Sequence, residues 1–257
     1  MTGARRPPRE APPRRARQTG ERAQSSVVGV ALLLGATVVA LGVLTASIGT
    51  LVDGQAARSD AERVAADFEG GLRPVETTGH RASEVRFADG DLRTVKRELR
   101  VLDGSGVVQK RIAVGALVYE HGEHRVTSVA GAVVRSRGET AWLVSEPPIA
   151  GSKSTGVLVV GAAKLNASDV AVGGSRTTVH LESNVSHERT AFSTGRYGVA
   201  VETETPAVFE RYFEERGASV SRRHYDSDGV PSVVASFPGR RRAYLVVHDM
   251  RLEVDSG

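Results

Sequence analysis

The sequence predicts an α+β protein: a long N-terminal transmembrane α-helix, then a β-rich head that is a mostly antiparallel sheet or sandwich with one short packed helix. Three observations predict this class. Residues 27–52 form a run of 26 positions without a charged side chain. After Gly79 the chain changes to short apolar and polar alternations separated by turn residues, a pattern typical of strands. Within that region, residues 205–213 space their apolar side chains as a helix does.

The apolar run is long enough to cross a bilayer. As a helix, 26 residues span about 39 Å, and the hydrocarbon core of a membrane is about 30 Å thick. The run contains no proline. A secretory signal peptide with cleavage near Gln55 is the alternative, but its apolar region is usually about 7–15 residues long. We therefore expect the lipid bilayer to be the partner of residues 27–52.

The distribution of charge predicts the orientation of this segment. Residues 1–23 contain seven arginines and two glutamates, and the other residues contain 27 basic and 28 acidic side chains. Residues 53–69 carry five acidic and two basic side chains. The positive-inside rule then predicts a single-pass cell-membrane protein with a cytoplasmic N-terminus and an extracellular C-terminal domain. Because the body has no basic excess, no nucleic-acid partner is expected.

The helix is expected to continue beyond the membrane. Ala57, Ala61, Val64 and Phe68 are spaced by four, three and four residues, which places them on one helical face. The two glycines at residues 70–71 are a plausible end. The predicted organisation is a basic leader over 1–23, disordered or cleaved, a helix over 24–71 and a β-rich extracytoplasmic domain over 79–257.

Small residues recur along one stripe of the transmembrane segment. Such stripes let helices approach closely in lipid. Alternatively, glycine and alanine are simply common in membrane helices. The residues that form this candidate packing face are Ala31, Gly35, Gly42, Ala46 and Gly49.

The junction before the apolar run resembles a processing site. Arg22-Ala23-Gln24-Ser25 is similar to the class III signal of archaeal type IV prepilins, in which a membrane peptidase cuts after a small residue that follows a charged one. The resemblance implies cleavage after Ala23, with Gln24 as the mature N-terminus. It also implies a prepilin peptidase and other pilin-like subunits as partners, and a structural or adhesive role at the cell surface.

Further segments resemble haloarchaeal proteins of the same plan. RAQSSVVGVALLLGATVV is similar to the N-termini of haloarchaeal pilin-like proteins, and residues 115–122 and 209–217 resemble an uncharacterised haloarchaeal family. Two features depart from the pilin pattern. Val28 stands at the fifth mature position, where bacterial pilins carry a carboxylate, and the leader of 23 residues is long and rich in arginine.

The head is expected to consist of strands and one helix. Thr205 is the expected N-cap of the helix, Pro206 suits its first turn, and Val208, Phe209, Tyr212 and Phe213 form its apolar face. In the last strand, even-numbered residues from Tyr244 to Val254 are expected to share one side. The predicted strands cover residues 83–88, 94–102, 107–120, 125–135, 141–144, 156–160, 177–183, 197–203, 219–225, 230–237 and 243–254.

No residue pattern predicts catalysis, a cofactor or a metal. The chain has no cysteine, which excludes disulfides and thiolate sites. His121 and His124 lack the metalloprotease spacing and predict a solvated turn. Asp226 and Asp228 lack the later acidic ligands of a calcium loop and predict a hairpin turn. Residues 151–156 predict a flexible connection.

Two tripeptides match the acceptor pattern for N-linked glycans. They are Asn166-Ala167-Ser168 and Asn184-Val185-Ser186. If the head lies outside the cell, Asn166 and Asn184 are possible glycosylation sites, although such tripeptides also arise by chance.

Three functions are compatible with these patterns. The first is a non-enzymatic, type IV pilin-like surface subunit. The second is a single-pass anchored protein whose head binds a ligand or an envelope component without forming filaments. The third is an anchored exported enzyme, which we rank last because no catalytic constellation is present.

Overall fold

The computed structural model describes residues 21–73, 78–152 and 154–256, and the side chains of these residues except 21–27, 46–52 and 256. Most of the predicted leader therefore lies outside the described residues. The predicted α+β class is confirmed. Helix α1 extends over Glu21–Leu72 and is followed by a β-rich, mostly antiparallel region that contains helix α2, Pro206–Glu215.

The strands form three sheets. The first contains β1 (Gly79–Phe87), β9 (Ile149–Ser152), β10 (Val157–Lys164), β12 (Thr177–Gly195), β16 (Arg241–Asp249) and β17 (Glu253–Ser256). The second contains β2 (Asp91–Val95), β5 (Ala116–His121), β6 (His124–Val129), β7 (Ala132–Arg137), β8 (Thr140–Ser145) and β11 (Ala171–Gly173). The third contains β3 (Glu98–Asp103), β4 (Val108–Ala113), β13 (Tyr197–Glu202), β14 (Ser219–Arg223) and β15 (Ser232–Ser236).

Strand order follows from these pairings. The first sheet has the order β1-β12-β16-β10-β9, and β17 also pairs with β12. The second has the order β11-β2-β5-β6-β7-β8 and the third β14-β15-β13-β3-β4. Among the described strands, β10 and β16 run parallel and the other pairs are antiparallel. The long strand β12 pairs with β1 through Val185 and with β16 from Ser186 onward.

The chain divides into two units, Met1–Val52 and Asp53–Gly257. In the second unit, the last part of α1 supplies a face to the core, as its spacing predicts. Ala61, Val64 and Phe68 are at most 1% exposed. They share an apolar cluster with residues of β1, β5, β12 and the segment 250–252.

Helix α2 has the predicted buried face, because Val208, Phe209, Tyr212 and Phe213 are all buried. Thr205 occupies the predicted N-cap position. The Thr205 side chain makes no capping hydrogen bond to the helix, and the Thr205 amide instead donates to Thr203 Oγ1 over 3.1 Å.

Four predicted strands are each two strands, since a break interrupts each pattern, and the fourth of them is 243–254. Residues 94–102 split between β2 and β3, which belong to different sheets. Residues 107–120 split at Gly115, whose positive φ of 65° favours glycine. Residues 125–135 split at Ala130 and Gly131, with φ values of 50° and 86°, so β6 and β7 form a hairpin with a two-residue loop.

Two further predictions need correction. The segment 243–254 does not keep one buried side, because Ala243 and Leu245 face one core cluster while Met250 and Leu252 face another. The segment between β16 and β17 carries this change, with Arg251 at a φ of 44°. Residues 151–152 are not a flexible connection, since they belong to β9 and pair with β10.

Candidate functional site

The most distinctive surface of the first unit is the apolar segment Val28–Thr45. Its mean hydropathy is 2.4, none of it is buried, and it is long and apolar enough to cross a membrane. Leu33 is 71% exposed. The Thr45 hydroxyl donates to the Leu41 carbonyl over 2.8 Å, and the Thr37 hydroxyl donates to the Leu33 carbonyl. Both hydroxyls are therefore satisfied within the helix, as a surface in contact with lipid requires.

The small-residue stripe is open where it is described. Ala31, Gly35 and Gly42 are exposed, and a Cβ atom added at Gly35 or Gly42 would meet nothing within 4 Å. The side chains of Ala46 and Gly49 lie outside the described residues. The stripe thus has room for a neighbouring helix, and its role in packing stays a prediction.

The predicted processing and glycosylation sites differ in how far they are described. Arg22, Ala23 and Gln24 fall in the backbone range of α1, but their side chains lie outside the described residues. Asn184 is exposed within β12. Asn166 is also exposed, has a φ of 49° and donates from Nδ2 to Asp249 Oδ1 over 3.0 Å.

A buried carboxylate ties α1 to the turn between β1 and β2. Asp60 is 2% exposed. Its Oδ2 accepts hydrogen bonds from the backbone N–H groups of Ala88, at 2.9 Å, and Asp89, at 3.3 Å. Its Oδ1 accepts from Arg63 over 2.8 Å. This carboxylate satisfies two turn amides that would otherwise be unpaired, so it fixes the turn against the helix.

A concentrated group of charges in the head surrounds Arg100 on β3. The Arg100 side chain is 0% exposed. One of its nitrogens lies 2.6 Å from Glu98 Oε2, another lies 3.7 Å from Glu202 Oε2, and it forms an ion pair with Asp226. We call Glu98, Arg100, Glu202, Asp226 and Asp228 the Arg100 cluster.

The loop between β14 and β15 covers Arg100. The guanidinium carbon lies 4.6 Å from the centre of the Tyr225 ring, and Ser232 Oγ accepts a hydrogen bond from Arg100 over 3.3 Å. The Val230 amide donates to Asp228 Oδ1 over 3.0 Å, which closes the predicted hairpin turn. The loop therefore depends on the buried cation beneath it.

The pKa values of Glu202 and Asp228 move in opposite directions within this cluster. Burial and the adjacent Asp228 carboxylate raise the pKa of Glu202 to about 7, while the hydrogen bond from Glu202 contributes to lowering the pKa of Asp228. The Glu98 backbone N–H donates to Glu202 Oε2 over 3.0 Å. This hydrogen bond opposes the rise in the pKa of Glu202, but burial and Asp228 outweigh it.

The same carboxylates meet one geometric requirement of a metal site. Glu98, Glu202 and Asp226 each offer an oxygen, and these atoms lie within 4.8 Å of one another. Oxygen donors of this kind suit Mg²⁺, Ca²⁺ or Mn²⁺. However, the Arg100 guanidinium already supplies a cation at their centre. The group is therefore best described as an ion cluster around a buried arginine, with Glu202 buried, Glu98 partly buried and Asp226 exposed.

We expect Glu202→Gln to flatten the dependence of stability on pH. A carboxyl whose pKa rises from 4.5 to about 7 on folding binds more proton in the folded state, so the wild-type free energy of unfolding falls as pH rises through that interval. In the wild type this decrease in the free energy of unfolding should be about 2 kcal/mol, and the variant should not show it. Urea unfolding at pH 4.5, 6 and 8 measures this. A variant with an unchanged pH profile would contradict the raised pKa of Glu202.

The predicted histidine turn is correct in conformation but not in solvation. Residues 121–124 form the turn of the β5–β6 hairpin, with Gly122 at a φ of 58°. His124 is only 7% exposed, and burial, followed by the charge of Arg137, lowers its pKa. One side of the turn therefore faces the interior.

Two other histidines meet across neighbouring strands. His187 on β12 lies directly opposite His248 on β16. Their Nδ1 atoms are 3.0 Å apart and their rings are nearly perpendicular, with centroids 4.9 Å apart. No sequence motif joins residues so far apart in the chain, and only the pairing of β12 with β16 brings them together.

Arg100 was missed because its strand was predicted to alternate, with Arg100 on the polar side. A signal was available, since Leu99, Val101 and Leu102 are three apolar residues around one arginine. Such a run indicates a strand buried on both faces, and a charge within it must be paired.

The comparison with known proteins identifies a family. No curated protein and no solved structure matches the chain. A family model described as a family of unknown function (DUF7289) matches residues 22–253. The match includes the apolar segment, the Arg100 cluster and the histidine pair of β12 and β16. Because it covers most of the sequence, the chain belongs to this family of unknown function, DUF7289.

Proposed function

We propose that this protein is a membrane-anchored cell-surface protein that resembles a type IV pilin subunit and has a structural or adhesive role without enzymatic activity. One observation carries the proposal. Helix α1 contains an apolar, unburied segment, Val28–Thr45, and later contributes Ala61, Val64 and Phe68 to the core of the head. An apolar helix that continues into the core of a β-rich domain is the plan of a pilin-like subunit.

The proposed orientation rests on charge. Seven arginines precede the apolar segment, and residues 53–69 have an acidic excess. The N-terminus is then cytoplasmic and the head extracellular, with the lipid bilayer as the partner of α1. In that location Asn184 is open to glycosylation, whereas Asn166 must first release its hydrogen bond to Asp249.

Processing after Ala23 is the second part of the proposal. Cleavage on the cytoplasmic side removes the arginine-rich leader and leaves the apolar helix on the mature chain. The same apolar surface that holds the precursor in lipid is then available to other pilin-like subunits. The openings at Gly35 and Gly42 provide close-approach positions for such a neighbour.

A simple anchored binding domain is the second candidate. Val28 favours it, because this residue occupies the fifth mature position, where bacterial pilins carry a carboxylate. In this candidate the leader stays on the protein and no filament forms.

The mature N-terminus distinguishes the two candidates. In an archaeal host that contains the class III prepilin peptidase, we expect the membrane-bound protein to begin at Gln24. Ala23→Leu should abolish this processing, because a large residue replaces the small one at the cleavage position. Mass spectrometry of the intact protein and of its N-terminal peptide measures both outcomes.

Ala16→Leu is the matched control, since it alters the leader away from the junction and should be processed as the wild type is. A wild-type chain that keeps residues 1–23 would support the simple anchor. A soluble chain beginning near Ala56 would contradict both candidates and indicate a secretory signal.

A further inference from the structure

We propose that His187 and His248 form a binding site for a late first-row transition-metal ion, with Cu²⁺ bound most tightly. The two imidazoles belong to neighbouring strands and lie directly opposite each other. Neither the pilin-like function nor the Arg100 cluster uses them. The inference is independent of the proposed function, since it concerns only the head.

The distance between the two rings carries the argument. Their Nδ1 atoms are 3.0 Å apart. With metal–nitrogen bonds of about 2.0 Å, adjacent ligands are about 2.8 Å apart in square-planar geometry and about 3.3 Å apart in tetrahedral geometry. The observed separation lies between these two values. An ion about 2.0 Å from both nitrogens lies about 40° off the line that joins them, so both rings must rotate from their hydrogen-bonded orientation to bind one ion.

The chemistry of the contact allows an ion to replace a proton. Two Nδ1 atoms at hydrogen-bonding distance require that one carries the hydrogen and the other a lone pair. A divalent cation that displaces this hydrogen converts both nitrogens into ligands. Imidazole nitrogen suits Cu²⁺ and Zn²⁺, and the general affinity order favours Cu²⁺. Water completes the coordination.

The site is accessible. Both histidines are partly exposed, and His248 lines an open groove whose wall includes Glu69, Glu146 and Arg73. Carboxylates and guanidinium groups both line this groove, so no single sign of charge opposes the entry of a cation. An open entry path is a requirement for any metal site.

The position of the pair determines what binding would do. Strand β12 pairs with β1 as far as Val185 and with β16 from Ser186 onward. The histidines lie at the second position of the β12–β16 ladder. An ion bound by both imidazoles would link the two strands where β12 changes partner, and binding to the folded state alone raises stability.

One feature limits the expected affinity. His187 Nε2 is buried, with no hydrogen-bond acceptor among the described residues. Coordination through Nδ1 places the ring hydrogen on Nε2, where it would be unpaired at some cost. We therefore expect a site that binds Cu²⁺ reversibly and more weakly than a site with three or four protein ligands.

The test uses the full chain without a histidine tag, purified in detergent and titrated with CuCl₂ in a non-chelating buffer. Electron paramagnetic resonance should show one Cu²⁺ per chain with a nitrogen-coordinated spectrum, and ZnCl₂ should compete at higher concentration. His187→Gln and His248→Gln should each raise the Kd at least tenfold. His224→Gln, an exposed histidine of the same chain, is the control and should leave the Kd unchanged.

Each alternative result is decisive. A wild-type chain with no nitrogen-coordinated Cu²⁺ would overturn the proposal and leave the pair as a hydrogen bond only. Equal binding by wild type and the His187→Gln/His248→Gln double variant would overturn it too, because the ion would then lie elsewhere. The metal-free variants are first compared with the wild type by circular dichroism. If they do not fold, the wild-type spectrum and the Cu²⁺-dependent rise in Tm decide the question.

Discussion

Arg100→Ala should destabilise the head by about 3–5 kcal/mol, the cost typical of leaving buried charges without a partner. The arginine side chain is fully buried, and Glu98, Glu202 and Asp226 surround it. Removing the guanidinium leaves an unfilled space in the core of the third sheet and leaves Glu98 and Asp226 close together without their counter-charge. Urea unfolding of the full chain in detergent, followed through the single tryptophan, Trp142, measures the change.

Two further variants separate charge from volume. Arg100→Met keeps most of the side-chain length but removes the charge, so it should be nearly as destabilising as Arg100→Ala. Arg111→Ala is the matched control, because Arg111 lies 3.2 Å from the same Glu98 oxygen but its side chain is 53% exposed. An exposed ion pair contributes about 0–1 kcal/mol. If Arg100→Met proves as stable as the wild type, the buried cation does not hold the cluster together.

Phe68→Ala should have an effect of similar size, about 3–5 kcal/mol, from lost burial and the cavity left behind. Phe68 is 0% exposed and belongs to the cluster that also contains Val85, Leu117 and Leu181. The substitution therefore removes the contact between the last part of α1 and two sheets. The same unfolding measurement applies.

Val107→Ala is the control for this second prediction. Val107 is 58% exposed, and its truncation should change the free energy of unfolding by no more than about 0.5 kcal/mol. A Phe68→Ala chain as stable as this control would mean that residues 53–72 do not belong to the core of the head.

Periodicity predicted the helices well because each has one buried face. The spacing of Ala57, Ala61, Val64 and Phe68 is enough to place α1 on the core, and the same reasoning identified the buried face of α2. The predicted strands were less accurate. A run such as 125–135 reads as one strand unless the turn at Ala130 is recognised, and a non-glycine residue at positive φ gives no local signal.

The charged sites could not be predicted from local patterns because their members are far apart in sequence. Arg100 on β3 pairs with Asp226 in the connection between β14 and β15. His187 on β12 contacts His248 on β16. Each contact depends on sheet order, which alternation alone does not determine. The sequence did indicate the turn at Asp226 and Asp228, but not the ion pair between Asp226 and Arg100.

The makeup of the cluster around Phe68 has a consequence for biosynthesis. Met250 and Leu252 belong to the same cluster as Phe68 and Leu72, so the ribosome synthesises the two parts of this core far apart in time. The apolar face of α1 that contains Phe68 has no complete cover until residues 250–252 have been synthesised. Folds built from such distant contacts form slowly and are prone to aggregate before completion. Until Met250 and Leu252 have been synthesised, the apolar face around Phe68 therefore stays uncovered and prone to aggregation.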